Sequence, residues 1–280
     1  MTKARSPMRR ISTILFGLVV SATAFAAGGH GGLLPANTQV DNKAMLQRGA
    51  GLYMNYCAGC HSLKYLRYSR LARDLGLSEE LVMENLVFSD TAKFNDTIQA
   101  AMGPADGARF FGKLPPDLSL SARVRGVDWL YTYLKSFYSD PGSATGWNNS
   151  VLVNASMPHV LWELQGVQAA HYAPETAPGA EPVVESLELV KPGLLSPAEY
   201  DAAVRDLVTF LEYAAEPAIL KRQGVGVWVL LYLALFTVLA WLLKKEYWKD
   251  VHGGAAGRAR RGRRSPGCQP APVGKFQRKD

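Results

Sequence analysis

The sequence predicts an all-α domain with long loops, followed by one C-terminal transmembrane helix. Three observations predict this class: helix-start patterns recur, strand-type alternation is scarce, and one late segment is apolar and uncharged. Helices and strands differ in hydrophobic period, about 3.6 against about 2 residues. The chain divides into four segments: a signal peptide at 1–26, an exported domain at 27–222, a membrane anchor at 224–243 and a tail at 244–280.

The first 26 residues have the three parts of a secretory signal peptide. Four basic residues and no acid precede an apolar run at 11–20, and small residues end it at Ala24-Phe25-Ala26. This order is typical of a leader that is cleaved on export. An uncleaved anchor is the alternative, but the apolar core is short for about 30 Å of hydrocarbon, which needs about 20 residues.

A second apolar run, Gly224–Leu243, contains no charged residue. Its twenty residues span about 30 Å as a helix, one bilayer core. A buried core helix would normally show a polar face, and this run has none. Trp228 and Trp241 lie near its ends, and Lys244 and Lys245 follow directly. The positive-inside rule therefore predicts a cytoplasmic C-terminus and a periplasmic domain, on a bacterial inner membrane.

The net charge of +7 hides a change of sign along the chain. The leader and the tail are basic, whereas residues 27–222 hold sixteen Lys and Arg against twenty-one acids. An acidic exported domain does not indicate a nucleic-acid partner and suits a basic protein partner. We expect four acids to contribute to a docking face: Glu175, Glu181, Glu185 and Glu188. An ordinary solvated surface is the alternative. The tail beyond about residue 252 has too few apolar residues to fold.

Helix signals recur through the exported domain. They are an amphipathic segment at Asp41–Cys57, Ser78 before two acids, Asp128 before Trp129, Tyr133 and Phe137, and a Ser196-Pro197-Ala198-Glu199 capping box whose helix runs to about Ala215.

Three Gly- and Pro-rich stretches separate these helices and are predicted to be loops: Gly103–Pro116, Pro141–Gly146 and Ala173–Pro192. Within the last, Val183-Val184 and Leu187–Val190 could form a short hairpin. Long loops are unusual in a compact domain unless something else completes the core. A large apolar prosthetic group would do so.

Cys57-Ala58-Gly59-Cys60-His61 is the motif that carries chemistry. Two thiols at this spacing can form thioethers to one haem, and the adjacent histidine is placed as its proximal ligand. A redox dithiol should follow a strand, whereas this motif follows a predicted helix. A zinc site needs further ligands, and residues 27–222 contain no other cysteine. A structural disulfide would leave His61 unexplained. One such motif predicts one covalent haem c.

Two methionines on predicted loops are candidates for the second axial ligand, Met157 and Met102. Pro158 stiffens the first of these loops, which slightly favours Met157. Other methionines fall inside predicted helices, where methionine commonly fills gaps in the core: Met45, Met54 and Met83. Two histidines would instead give a bis-histidine haem: His159 and His171.

The chain resembles the cytochrome c1 family over nearly all of residues 41–250. The resemblance rests on Cys57–His61 after a helix, Leu114-Pro115-Pro116-Asp117-Leu118-Ser119, Trp129-Leu130-Tyr131, Met157-Pro158, and Ala214-Ala215-Glu216-Pro217 before a single anchor. It implies a class I cytochrome c-like haem domain with Met157 as axial ligand. It also implies an arginine that contacts a haem propionate, which Arg125 matches better than Arg123. Here His159 stands where many relatives have a proline.

The resemblance further implies the function of an electron carrier. Such a subunit works with cytochrome b, takes single electrons from the Rieske iron–sulfur protein and passes them to a soluble or membrane-bound cytochrome c. The carrier itself performs no bond chemistry, although the whole complex is a quinol–cytochrome c reductase. Three alternatives stay open: another membrane-tethered monohaem shuttle, a haem peroxidase or gas sensor, and an assembly domain without haem.

Overall fold

A computed structural model describes residues 32–174 and 183–249 of the chain. The predicted signal peptide, the tail beyond residue 249, Glu175 and Glu181 lie outside these ranges. The chain divides after Leu220 into two compact units. The first contains the cysteine motif, and the second contains most of the long apolar helix.

Nine helices lie in the described ranges. They are α1 (Lys43–Tyr56), α2 (Tyr68–Leu75), α3 (Glu79–Asn85), α4 (Pro104–Phe111), α5 (Ser121–Arg125), α6 (Val127–Lys135), α7 (Trp162–Gln165), α8 (Pro197–Ala215) and α9 (Ile219–Tyr247). Six strands accompany them: β1 (Leu63–Arg67), β2 (Thr97–Ile98), β3 (Phe137–Ser139), β4 (Trp147–Asn149), β5 (Gly166–Tyr172) and β6 (Val184–Pro192).

The prediction of a strictly all-α domain is wrong, because the strands form three two-stranded antiparallel sheets. β1 pairs with β2, β3 with β4 and β5 with β6. Four of these strands have five residues or fewer, which is too short for a period-2 pattern to stand out. The longest pair, β5 and β6, is a largely solvent-exposed ribbon and so lacks a buried, apolar face.

Two of the predicted loops contain regular structure. Gly103–Pro116 holds α4, which Pro104 opens at the first helical position. The hairpin predicted within 183–190 forms differently, since β6 pairs with the upstream strand β5, with Ala170 opposite Leu187. Only Pro141–Gly146 is irregular throughout, as the connection between β3 and β4.

All four predicted helix starts are confirmed to within two residues. Asn42 caps α1, the Ser78 hydroxyl accepts a hydrogen bond from the Leu81 amide at 3.2 Å, and a complete capping box opens α8. Asp128 lies in the first turn of α6, and its carboxylate accepts a hydrogen bond from the Ala36 amide at 2.7 Å. It thereby ties the N-terminal segment to α6.

α1 and α8 pack closely and form the centre of the first unit. Tyr53 and Phe210 meet in this interface with ring centroids 5.6 Å apart. At its edge the Arg48 guanidinium makes two hydrogen bonds to the Asp206 carboxylate, at 2.5 and 3.0 Å. Gly49 permits the approach, because a Cβ there would collide with the Asp206 carbonyl and lie 2.7 Å from the Phe210 Cβ.

α9 is the one helix of the described residues that is long and apolar enough to cross a membrane. Its span Gly224–Tyr247 has a mean hydropathy of 2.3, and no part of it is buried. A core helix of a soluble protein would be covered, whereas Trp228 is 73% exposed. The helix is therefore compatible with a membrane anchor.

The close packing of α1 on α8 at Gly49 can be tested by substitution. Gly49→Ala should destabilise the protein by about 1–3 kcal/mol, because the new methyl group overpacks the interface. Gly51→Ala is the matched control on the same helix, where a Cβ meets nothing within 4 Å. It should stabilise by about 0.5–1 kcal/mol through helix propensity. Thermal unfolding of the full-length protein in detergent, followed by circular dichroism, measures both; an unchanged midpoint for Gly49→Ala would contradict the packing.

Candidate functional site

The C-terminal end of α1 delivers the cysteine motif into a tight turn. The Cys57 amide donates to the Tyr53 carbonyl at 2.8 Å, and the His61 amide donates to the Cys57 carbonyl at 2.8 Å. The buried Tyr53 hydroxyl donates to the His61 carbonyl at 2.6 Å. The helix that packs on α8 therefore fixes both ends of the motif.

The His61 imidazole is oriented by the backbone of another segment. Its Nδ1 lies 2.7 Å from the Pro116 carbonyl oxygen. A carbonyl only accepts, so Nδ1 carries the proton and Nε2 keeps a free lone pair. Burial lowers the pKa of His61, and the contact with Pro116 partly offsets this effect. The uncharged ring is thus in the form that binds a metal ion.

Asp117 holds the Pro116 carbonyl in place. One carboxylate oxygen accepts from the Ser119 amide at 2.9 Å, and the other accepts from the Lys64 amide at 3.0 Å. The Leu118 amide donates to the Ser62 carbonyl at 2.9 Å. The Pro-Pro-Asp-Leu-Ser motif, residues 115–119, is therefore hydrogen-bonded to the chain just after His61. We call this segment the bracket.

Cys57 and Cys60 are both free thiols. Burial, with a smaller contribution from Cys60, raises the pKa of Cys57 to about 12. The reactive cysteine of a redox dithiol has a lowered pKa, so this environment does not favour a redox dithiol. Nor does any cluster of three or more His, Cys, Asp or Glu suited to a metal ion occur in the described ranges.

The motif opens onto a mostly apolar cavity of about 550 Å³, counting its open mouth. The wall brings together the cysteine motif, the bracket, the end of α4 and the loop before α7. Its residues are Tyr56, Cys57, Cys60, His61, Phe111, Lys113, Leu114, Pro115, Pro116, Ser156, Met157, Pro158 and Val160. Two thiols, an imidazole with a free Nε2 and a thioether thus share one apolar space.

Of the candidate methionines, Met157 lines this cavity and Met102 does not. The Met102 amide donates to the Gly59 carbonyl at 2.9 Å, so its backbone supports the motif turn. Met45 and Met54 are buried in α1, and Met83 lies on α3. Their helical positions agree with the prediction.

Neither of the two candidate histidines lines the cavity. His171, on β5, is exposed and its Nε2 is 2.8 Å from a Glu188 carboxylate oxygen. His159 is only 2% exposed and stacks on Phe137 at 5.0 Å, with Trp147 edge-on at 5.1 Å. Its ring therefore packs in the core and anchors the loop that carries Met157.

Arg125 is exposed and does not line the cavity. Its guanidinium lies over the Trp129 ring, 4.9 Å from the centroid. Arg123 instead pairs with Glu216 at 3.8 Å. Contact of Arg125 with a haem propionate therefore remains a prediction from the family resemblance.

Two features of the site were missed by the sequence analysis. The partner of His61 is a backbone carbonyl, which carries no side-chain signal. Tyr133, whose hydroxyl lies 3.5 Å from the Met157 Sδ, stood out only as part of an aromatic series at four-residue spacing. Burial raises the pKa of Tyr133 to about 12, so the hydroxyl keeps its proton at neutral pH.

Comparison with known proteins shows which family this chain is similar to. The model of the cytochrome C1 family matches residues 36–251. A cytochrome c1 of Allochromatium vinosum is 50% identical, over 88% of this chain and all of its own length. A protein of Nitrosomonas europaea named ammonia monooxygenase gamma subunit is 39% identical over the same shares. A cytochrome b/c1 of Bradyrhizobium diazoefficiens is 28% identical, over 75% of this chain and 34% of its own.

Proposed function

The chain belongs to the cytochrome c1 family, and on this premise we propose that it is the electron-carrying subunit of a ubiquinol:cytochrome c oxidoreductase, the bc1 complex. Members of the family carry one covalently bound haem c. In this role the chain accepts single electrons from a Rieske iron–sulfur protein and passes them to a c-type cytochrome. The observation that carries the proposal is the apolar cavity shared by Cys57, Cys60 and His61.

The residues of the cavity fit a haem c group. Cys57 and Cys60 would form the two thioethers, since both are free. His61 would bind through Nε2, which the contact with Pro116 leaves unprotonated, and Met157 would bind through Sδ. When bound, the haem supplies an iron centre that gains and loses one electron at a potential set by these ligands. The apolar wall limits access of water, which also influences that potential.

Ligation by both His61 and Met157 argues against a peroxidase or a gas sensor, because each needs a vacant or labile position on the iron. Neither of these two ligands, the imidazole and the thioether, would bring a charge to the iron. Arg125, the last residue of α5, is proposed to contact a haem propionate, on the basis of the family resemblance alone.

In the proposed topology residues 1–26 are removed, 27–222 lie in the periplasm, and 244–280 are cytoplasmic. The exposed apolar side chains of α9 support an anchor, because their burial in lipid would remove them from water. Lys244 and Lys245 in its last turn support the orientation through the positive-inside rule.

The proposed partners are cytochrome b, the Rieske protein and a soluble or membrane-bound cytochrome c. A relative whose name joins b and c1 in a single chain supports the first of these. The acidic balance of the exported domain supports a basic electron acceptor. Of the proposed docking acids within the described residues, Glu185 and Glu188 are exposed on β6.

A second candidate is a subunit of a different membrane oxidoreductase, which the name of the Nitrosomonas europaea relative favours. The higher identity to a cytochrome c1 favours the bc1 complex. The same electron-carrying chemistry would serve in either assembly, so the partners distinguish them.

Purification of the complex tests the assignment. Gentle solubilisation of the source membrane should yield this chain together with a b-type haem protein and a Rieske iron–sulfur protein. The reduced-minus-oxidised spectrum should contain both b- and c-type bands. A chain that always runs alone would indicate a tethered shuttle, and co-purification with monooxygenase subunits would favour the second candidate.

Paired substitutions test the axial ligand. Met157→Leu should abolish the methionine-to-iron charge-transfer band of the oxidised protein and lower the reduction potential, because a thioether ligand raises the potential. Met102→Leu, the control on a neighbouring segment, should leave both unchanged. The reverse pattern would transfer the ligand role to Met102.

A further inference from the structure

Tyr133 is the one residue of α6 whose polar side chain reaches the loop of the proposed axial ligand. Its hydroxyl oxygen lies 3.5 Å from the Met157 Sδ, with the hydroxyl as donor and the sulfur as acceptor. No other hydrogen-bond partner of this hydroxyl occurs among residues 32–174 and 183–249. The residue is 8% exposed, so little water competes for the contact.

The ring that carries this hydroxyl contacts two aromatic rings of its own segment. Trp129 stacks on it, with centroids 4.9 Å apart and planes 9° from parallel. Phe137 meets it edge-on at 5.0 Å and 68°. The three residues follow one another at four-residue spacing, so α6 and the start of β3 present them as one stack.

The same stack also holds the Met157 loop. Phe137 stacks on His159 at 5.0 Å with the two rings 3° from parallel. His159 is two residues beyond Met157, in the position where the family pattern has a proline. The aromatic series thus packs both against the ring of Tyr133 and against the loop that carries Met157.

We propose that Tyr133 is a positioning residue that raises the reduction potential of this protein by hydrogen bonding to the Met157 sulfur. The proposal rests on the proposed function, in which that sulfur is an iron ligand. A thioether has two lone pairs, so one can face the metal while the other accepts the hydroxyl. The hydrogen bond draws electron density from the sulfur.

The direction of the effect follows from charge. A sulfur that donates less electron density favours the iron state that holds the additional electron, which is the reduced state. Hydrogen bonds to the ligands of a metal are a general means by which proteins adjust its potential. Removal of the hydroxyl should therefore stabilise the oxidised state.

Tyr133→Phe tests the proposal, because it deletes the hydroxyl and keeps the ring in the stack. The equilibrium constant for reduction by a mediator of fixed potential should fall about two- to tenfold, in line with the loss of one hydrogen bond. This equals roughly 20–60 mV, at about 59 mV per tenfold for one electron. The charge-transfer band should persist, since the sulfur stays bound.

Tyr131→Phe is the matched control. Tyr131 is also buried on α6, but its hydroxyl faces the Lys135 amine at 3.5 Å and lies outside the cavity wall. Its replacement should leave the potential unchanged. An unchanged potential in Tyr133→Phe, or an equal shift in both variants, would overturn the proposal while leaving the proposed function in place.

The failure of the proposed function has a different signature. If Met157→Leu leaves the charge-transfer band and the potential as they were, Met157 is not the ligand and Tyr133 cannot act through it. Thermal unfolding of each variant is measured alongside, so that a loss of folding is separated from a change of potential.

Discussion

The hydrogen bond between the His61 Nδ1 and the Pro116 carbonyl, at 2.7 Å, is the contact on which the site depends. It joins the cysteine motif at the end of α1 to the bracket 115–119, although 55 residues separate the partners. It fixes the tautomer and the plane of the imidazole, so that Nε2 is available as a ligand. Asp117 holds the segment of the Pro116 carbonyl, and the Tyr53 hydroxyl binds the His61 carbonyl. Both residues therefore support this hydrogen bond without contact to a haem.

The rest of the domain divides into a scaffold and a cavity wall. The scaffold is the α1–α8 pair, where Gly49 permits close helix packing and aromatic rings fill the interface. The wall is made largely from connecting segments: the bracket, the end of α4 and the Met157 loop. Segments of this kind have few apolar partners of their own. A large apolar cofactor in the cavity would supply those partners, beside the core that the buried side chains of the domain already form.

Sequence reasoning succeeded where chemistry is local. The caps at Ser78 and Ser196 are decided by residues within one turn, and both helices begin where predicted. The cysteine motif is likewise local, because the five consecutive residues Cys57–His61 are enough to predict haem attachment. Sequence reasoning failed where distant segments decide the structure. The hydrogen bond from the Ala36 amide to the Asp128 carboxylate has no local signal, and β6 pairs with the upstream strand β5 instead of forming a hairpin within itself. The Pro116 carbonyl and the Tyr133 hydroxyl could not be assigned, because each acquires its role only from a partner more than twenty residues away.

The proposed function requires covalent attachment of one haem at Cys57 and Cys60. Mass spectrometry of the proteolytic peptide that contains Cys57–His61, prepared from the mature membrane protein after denaturation, tests this attachment most directly. We expect a peptide that carries one haem through two thioether bonds and absorbs as a c-type haem. A colourless peptide with free thiols, or with the two cysteines joined in a disulfide, would contradict it.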